Sequence, residues 1–298
     1  MDMRKFLILS VLCLGALCAH ADTVDVMASY IYSSDFDQVR AGFSLPVSYN
    51  ASIGVEGKYV TDKISVDEGG LKDPVYSVYV PMQLELETAH FNLVPFYYFE
   101  NKSHQTQFQD ALAYGITFQL TMDLVQDEVD DLHTQAYVQA AYARQKGTVL
   151  ADNTWNNQYY DQAAFTMGLR QNFYSAFSFQ VAGTVYQYPD GISHVQGFRG
   201  ILDQKDLGFT QSFDVNRALG KYALSARLTR LWAEKRSSLY VAYHYQEFYT
   251  ADPEHSFIVG NSFYLMRNLY ADMAYNHLRD SGNRNKRDLF FVSLNFAF

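Results

Sequence analysis

Cysteine is almost absent from this chain of 298 residues: there are two, Cys13 and Cys18. Both fall within the first 21 residues, which have the pattern of an export leader. The remainder of the chain therefore has no cysteine for a disulfide bond or a thiolate metal site. A lipid anchor on Cys18 is disfavoured. Bacterial lipoprotein leaders have a small residue directly before the modified cysteine, and this chain has Leu17 there.

Long hydrophobic runs are also lacking. The one extended apolar run, residues 6–17, follows Arg4 and Lys5 and leads into small residues that end at Ala21. This pattern predicts a signal peptide, residues 1–21, which is cleaved from the mature protein. The run is too short for a membrane-spanning helix, and no later segment has about 18 consecutive apolar residues, which excludes a helical membrane protein.

Positive charge is scarce, and recognisable catalytic motifs are missing. Lys and Arg number 23 against 32 Asp and Glu, for a formal net charge of −9, which argues against nucleic acid as a partner.

None of the histidines begins a His-x-Ser motif of the kind found in outer-membrane phospholipases, and their spacing is not that of metal ligands. The acidic turn at residues 127–131 lacks the glycine of a calcium loop. We therefore predict no catalytic residue, no cofactor and no metal site.

Aromatic residues, by contrast, are abundant, with 24 Tyr and 22 Phe. The hydrophobic fraction is 48%, yet the mean hydropathy is −0.19. This combination favours many strands that are apolar on one face and polar on the other. A tyrosine-rich soluble β-protein remains an alternative at this point.

The last twelve residues show this alternation most clearly. On an extended chain one face is wholly apolar, and it consists of Phe290, Val292, Leu294, Phe296 and Phe298. This segment resembles the final strand of the outer-membrane β-barrel proteins of Gram-negative bacteria, which ends in Phe. The resemblance implies a bacterial outer-membrane location, outer-membrane lipid around the barrel, and recognition of this strand by the barrel-insertion machinery.

The same rhythm recurs from residue 24 onward and predicts an all-β protein, a transmembrane antiparallel up-and-down β-barrel formed by one domain, residues 22–298. We expect 14 to 16 strands, with 12 possible; sixteen requires residues 192–202 and 207–213 to be strands. Pro81 and Pro95 fall inside predicted strands, where each must be absorbed by a bulge or a water-facing position. Predicted short turns lie near Asn50, Thr88, Asp130, Asn172, Lys205, Glu234 and Arg267, and predicted outer loops at residues 62–73, 101–109, 147–157 and 280–286.

The polar faces of the strands would line the interior of such a barrel. The predicted inward set is Arg40, Glu56, Lys58, Gln83, Glu85, Gln119, Gln162, Arg170, Gln180, Gln211, Arg227, His244, Gln246, Asp272 and Asn276. Its charged members, Arg40, Glu56, Lys58, Glu85, Arg170, Arg227 and Asp272, are the candidate pore-lining residues. An eight-stranded barrel would be filled by its own side chains, whereas about sixteen strands leave an aqueous lumen.

The function predicted from this lumen is porin-like passive diffusion of small hydrophilic solutes, without enzymatic activity. A lipid-modifying barrel enzyme and a structural or adhesive barrel remain the alternatives, as does a plugged lumen. A segment near residues 190–205 could instead fold into the lumen and narrow it, with Arg199 and Asp203 as the candidate constriction charges.

Overall fold

The computed structural model describes residues 24–33, 36–63, 72–100, 108–127, 132–151, 154–173, 176–192, 202, 219–232, 237–249, 251–281 and 286–297. Every regular element in these ranges is a β-strand, as the two-residue alternation predicts. In this part of the chain, no helix is long and apolar enough to cross a bilayer.

Fifteen strands follow one another along the chain. They are β1 (Asp25–Tyr32), β2 (Phe36–Ser48), β3 (Ala51–Lys63), β4 (Lys72–Tyr79), β5 (Met82–Glu85), β6 (Ala89–Glu100), β7 (Phe108–Asp127), β8 (Leu132–Ala151), β9 (Thr154–Phe173), β10 (Phe177–Gln187), β11 (Gly220–Trp232), β12 (Ser237–Phe248), β13 (Glu254–Met266), β14 (Leu269–Asp280) and β15 (Lys286–Ala297).

These strands close into a ring of antiparallel neighbours. Each strand pairs with the strands adjacent to it in sequence, and β1 pairs with β15 from Asp25↔Ala297 to Tyr32↔Phe290. β4 and β5 both lie between β3 and β6 and form two halves of one interrupted strand. The wall therefore has fourteen strand positions. The prediction of a closed, all-β, antiparallel barrel is confirmed.

Proline explains the interruption between β4 and β5. Pro81 has no N–H to donate and lies directly after Val80, where the regular pairing stops. The local hydrogen bonds are nevertheless made: the Gly54 N–H donates to the Pro81 carbonyl at 2.8 Å, and the Val80 N–H donates to the Pro95 carbonyl at 3.0 Å. Both prolines thus lie at the same interruption of the regular pairing, and hydrogen bonds with β3 and β6 connect the interrupted strand to its two neighbours there.

Closure of the ring corrects the strand count. β10 pairs with β11 from Phe177↔Arg230 to Val185↔Tyr222, and each of these strands has its other neighbour as well. No further strand fits between them, so the predicted wall strands at 192–202 and 207–213 are wrong, as is the wall turn at Lys205. Sixteen strands and twelve are both excluded. Apart from residues 192 and 202, these two segments lie outside the described residues.

The connections differ at the two rims. β1 begins and β15 ends at the rim that carries the short connections at 49–50, 86–88, 128–131, 174–176, 233–236 and 267–268, here called the turn rim. The opposite rim, here called the loop rim, carries the connections at 64–71, 101–107 and 188–219. Apart from Lys205, the predicted turns fall at or within two residues of the turn rim's connections.

Three strands are much longer than a bilayer requires. β7, β8 and β9 have 20 residues each, whereas a tilted strand crosses hydrocarbon in about 9–11 residues. The predicted loop at 147–157 is therefore wrong: β8 continues to Ala151, and β9 begins at Thr154. Its polar residues pair across the hairpin instead, as in the Thr148 to Asn157 side-chain hydrogen bond of 3.2 Å.

The two faces of the wall differ as the alternation predicts. On β9 the outward Met167 is 58% exposed, while its inward neighbour Thr166 is 2% exposed. Tyrosines gather on the outward face towards the loop rim, where Tyr30 donates to Asp37 at 3.0 Å and Tyr275 donates to Asp288 at 2.7 Å. An apolar belt edged by rings with polar tips is the surface that a lipid bilayer covers.

Candidate functional site: the barrel lumen

The register of the strands places the predicted pore-lining residues on one face of the wall. All of them lie on the face opposite the exposed apolar belt and so point into the barrel: Arg40, Glu56, Lys58, Glu85, Arg170, Arg227 and Asp272. The uncharged members Gln83, Gln119, Gln162, Gln180, His244, Gln246 and Asn276 lie on the same face. Gln211 lies outside the described residues.

Arg40 and Glu56 neutralise each other on the wall. The Arg40 guanidinium, on β2, donates to both carboxylate oxygens of Glu56 on β3, through Nε to Oε1 and through Nη2 to Oε2 at 2.6 Å. Nearby, the Lys58 ammonium lies 5.6 Å from the centre of the Tyr79 ring. A two-pronged pair of this kind fixes both side chains and leaves little net charge.

This pair borders a cavity of about 860 Å³ in the part of the lumen nearest the turn rim. Its polar lining includes Ser52, Gln83, Asn92, Gln119 and Gln139. Hydroxyl and carboxamide groups both donate and accept hydrogen bonds. The cavity is therefore large enough and polar enough to hold small hydrated molecules.

A second charged group lies across the lumen from the first. Gln180 on β10 stands between Arg170 on β9 and Arg227 on β11, since it is the register partner of both. The two-residue alternation predicts an inward position for each of these residues, but it does not predict that the three form one row. Only the pairing register of three strands brings them together.

Aromatic rings lie flat against the wall over glycines near this row. Tyr137 covers Gly168 on the next strand and accepts a hydrogen bond from Gln180 Nε2 at 3.3 Å. Tyr240 covers Gly260 in the same way and donates to Asp272 at 2.9 Å. In each case the missing Cβ of glycine makes room for the ring, which then reaches a polar partner two strands away.

The Tyr240 ring also supports Arg227, whose guanidinium carbon lies 4.1 Å from the ring centre. Arg227 Nε donates to Thr229 Oγ1 at 3.1 Å. Asp272 is thus linked to the arginine row through a tyrosine rather than by a direct carboxylate–guanidinium hydrogen bond in the described contacts. Glu85 lies apart from both groups, exposed near the turn rim.

Leu202, which belongs to the segment predicted at residues 190–205, is buried against the inner wall. Its side chain is 5% exposed and packs with inward-facing residues of four consecutive strands. These are Ala141, Ala143, Ala164, Tyr186 and Ala223. The connection from β10 to β11 therefore enters the lumen at this residue. Arg199 and Asp203, which flank it in sequence, lie outside the described residues.

Outside the lumen, a serine lies next to a histidine near the loop rim. Ser281 Oγ lies 3.1 Å from His255 Nε2 and donates to the Pro253 carbonyl at 3.1 Å. A hydroxyl proton committed to a carbonyl is not shared with the imidazole as it is in an activated nucleophile. Within the described ranges, no three His, Cys, Asp or Glu side chains are grouped as metal ligands.

Solved structures of outer-membrane channels share this architecture. The toluene transporter TodX of Pseudomonas putida superposes with a TM-score of 0.52 at 8% identity, over 93% of this chain and 89% of TodX. The chain has the fold of an outer-membrane β-barrel. The CymD monoaromatic hydrocarbon channel gives 0.53 at 9% identity, over 99% of this chain and 92% of CymD.

A third barrel with the same fold is CdiB of Acinetobacter baumannii, with a TM-score of 0.52 at 9% identity. That match covers 93% of this chain but only 60% of CdiB. No protein-family model and no curated protein sequence matches the chain. At identities this low, the likeness concerns the fold alone.

Proposed function

We propose that the protein is a porin-like channel that lets small hydrophilic solutes diffuse passively across the bacterial outer membrane. The observation that carries the proposal is a closed wall of fourteen strand positions with an apolar outside and a polar inside. A barrel of this size leaves space within its wall, here including the cavity of about 860 Å³. The charged lumen residues Arg40, Glu56, Lys58, Glu85, Arg170, Arg227 and Asp272 would set its ion preference.

Conductance measurements test this proposal. The purified mature protein, added to planar lipid bilayers in KCl, is expected to produce discrete current steps. Liposomes that contain it should swell in solutions of small sugars. Protein that migrates as a folded barrel on an unboiled gel, yet gives neither current nor swelling, would contradict the proposal.

Within this function, the connection between β10 and β11 is proposed to narrow the channel, with Arg199 and Asp203 as the constriction charges. The inward packing of Leu202 between them supports this role. Deleting residues 191–200 should raise the single-channel conductance because it removes bulk and charge from the lumen. Deleting residues 101–107, another loop-rim connection, is the control and should leave conductance unchanged. Equal conductance in both variants and the wild type would end the idea.

Two terminal segments are proposed to act in export and assembly. Residues 1–21 are proposed to be a signal peptide that directs the chain out of the cytoplasm and is then removed. The final strand is proposed to engage the barrel-insertion machinery through Phe290, Val292, Leu294 and Phe296, which lie in register on the outward face of β15. Phe298 belongs to the same proposed signal and lies outside the described residues.

The enzymatic alternative is less well supported than diffusion. A lipid-modifying barrel enzyme requires an activated nucleophile at the lipid surface, and the His255–Ser281 contact does not have that arrangement. A structural or adhesive barrel would not need a polar cavity. Lipase assays on the purified barrel separate the enzyme from the channel.

A further inference from the structure

The lumen contains a row of hydrogen-bond donors that the proposed diffusion function alone does not explain. Arg170, Gln180 and Arg227 lie side by side on β9, β10 and β11, all pointing inward. Neighbouring strands are about 4.8 Å apart, so the two arginine Cα atoms are separated by about 10 Å. Two guanidinium groups can therefore reach one small ligand placed above Gln180.

Arg170 has an unusual environment for an inward arginine. It is exposed to the lumen, and its one side-chain hydrogen bond in the described structure is a long one, from Nε to Ser178 Oγ at 3.4 Å. No acidic side chain in the described ranges forms an ion pair with it. Arg40, by comparison, is fully engaged by Glu56. The Arg170 guanidinium is thus available to a solute.

Two inward acidic side chains near the row, Asp123 and Asp272, have other hydrogen-bond partners. Gln135, the register neighbour of Arg170, donates to Asp123 at 2.8 Å, and His133 lies 2.9 Å from the same carboxylate. Asp272 accepts a hydrogen bond from the Tyr240 hydroxyl. In the described contacts neither carboxylate forms an ion pair with Arg170, whose positive charge is therefore not paired by these two groups.

Two members of the row, Gln180 and Arg227, are held in place by tyrosines. Tyr137, lying over Gly168, accepts a hydrogen bond from Gln180, and Tyr240, lying over Gly260, supports the Arg227 guanidinium. A rigid fork of N–H donors matches the planar pair of oxygens in a carboxylate or phosphate group. Fixed donors also bind more tightly than mobile ones, because less side-chain freedom is lost on binding.

We infer that Arg170, Gln180 and Arg227 form an oxyanion-binding site in the lumen, which selects small solutes that carry a carboxylate or a phosphate group. The inference deepens the proposed diffusion function and rests on it for its biological meaning. Binding itself does not require transport and can be measured separately.

Calorimetric titration of the purified barrel in detergent with succinate, and separately with inorganic phosphate, tests the site. Wild-type protein should bind at least one of them, and the comparison shows which oxyanion is preferred. Arg170→Gln should weaken binding by about tenfold or more, as expected for loss of charged hydrogen bonds. Arg170→Lys keeps the charge but not the fork, and should also weaken binding.

Lys58→Gln is the matched control, since it removes one inward positive charge from a different part of the wall. It should shift the reversal potential in a KCl gradient but leave succinate and phosphate affinity unchanged. Heat-dependent gel migration verifies that each variant is folded.

The outcomes separate this inference from the proposed function. A barrel that conducts but binds neither anion, or in which Lys58→Gln weakens binding as much as Arg170→Gln, overturns the oxyanion site and leaves diffusion intact. A barrel that binds in an Arg170-dependent manner but does not conduct supports the site and contradicts the channel.

Discussion

At the scale of single residues, the inner wall depends on glycines that make room for aromatic rings. Gly168 lies under Tyr137, and Gly260 lies under Tyr240. The alternation of the sequence predicts that these residues share the inward face. It does not predict which ring covers which glycine, because that contact depends on the exact pairing register of two neighbouring strands.

Alanine at either glycine should destabilise the barrel. In Gly168→Ala and Gly260→Ala the added methyl group would overlap the tyrosine ring, and overpacking of this kind costs about 1–3 kcal/mol. The expected effect is a drop of several degrees in the temperature at which half of the protein loses its fast-migrating form on an unboiled gel.

Gly183→Ala is the control, because its added methyl would meet only Leu224 Cδ2, at an ordinary distance of 3.5 Å. Its transition temperature should stay level or rise slightly. A Gly168→Ala variant as stable as Gly183→Ala would show that the ring moves aside without cost.

At the scale of strands, the two-residue alternation predicts the elements correctly, but the polar composition of some segments predicts their ends wrongly. The polar stretch at 147–157 predicts a loop, but it forms the ends of β8 and β9. Polar side chains do not disfavour a strand outside the bilayer, because water and side chains on the neighbouring strand form hydrogen bonds with them there. Arg144, for example, donates twice to Asp161 at 2.7 Å on this hairpin. Composition therefore indicated where the membrane ends rather than where the strand ends.

The projecting part of the β8–β9 hairpin should be dispensable for folding. Replacing residues 148–157 with Asn-Gly, a strong two-residue hairpin turn, removes the end of the hairpin that lies beyond the Arg144–Asp161 pair towards the loop rim. The shortened barrel is expected to insert into lipid and to keep its heat-dependent migration. Met167→Arg, a single change within the lipid belt of the same β9 strand, should be worse, because a charge there costs about 2–4 kcal/mol. If the shortened hairpin were less stable than Met167→Arg, the removed residues would belong to the membrane-embedded part of the wall.

At the scale of the whole molecule, the class of fold is predictable from the sequence, but the strand count is not. An apolar outside, a polar inside and antiparallel order follow from the two-residue rhythm and the short turns. Leu202 shows why apolar residues alone do not identify a wall strand, because a side chain that packs against the inner wall is apolar for the same reason as one that faces lipid. The inward position of Arg170 and Arg227 was predictable; their common row with Gln180 was not, because it depends on long-range register.

The seam between β1 and β15 has a consequence for biogenesis. β1 is synthesised before β15, so one edge of β1 has no partner until β15 has been made. An exposed strand edge of this kind can pair with another chain and so template aggregation. A chain that lacks β15 would leave both β1 and β14 with an open edge, so closure of the wall depends on this one strand.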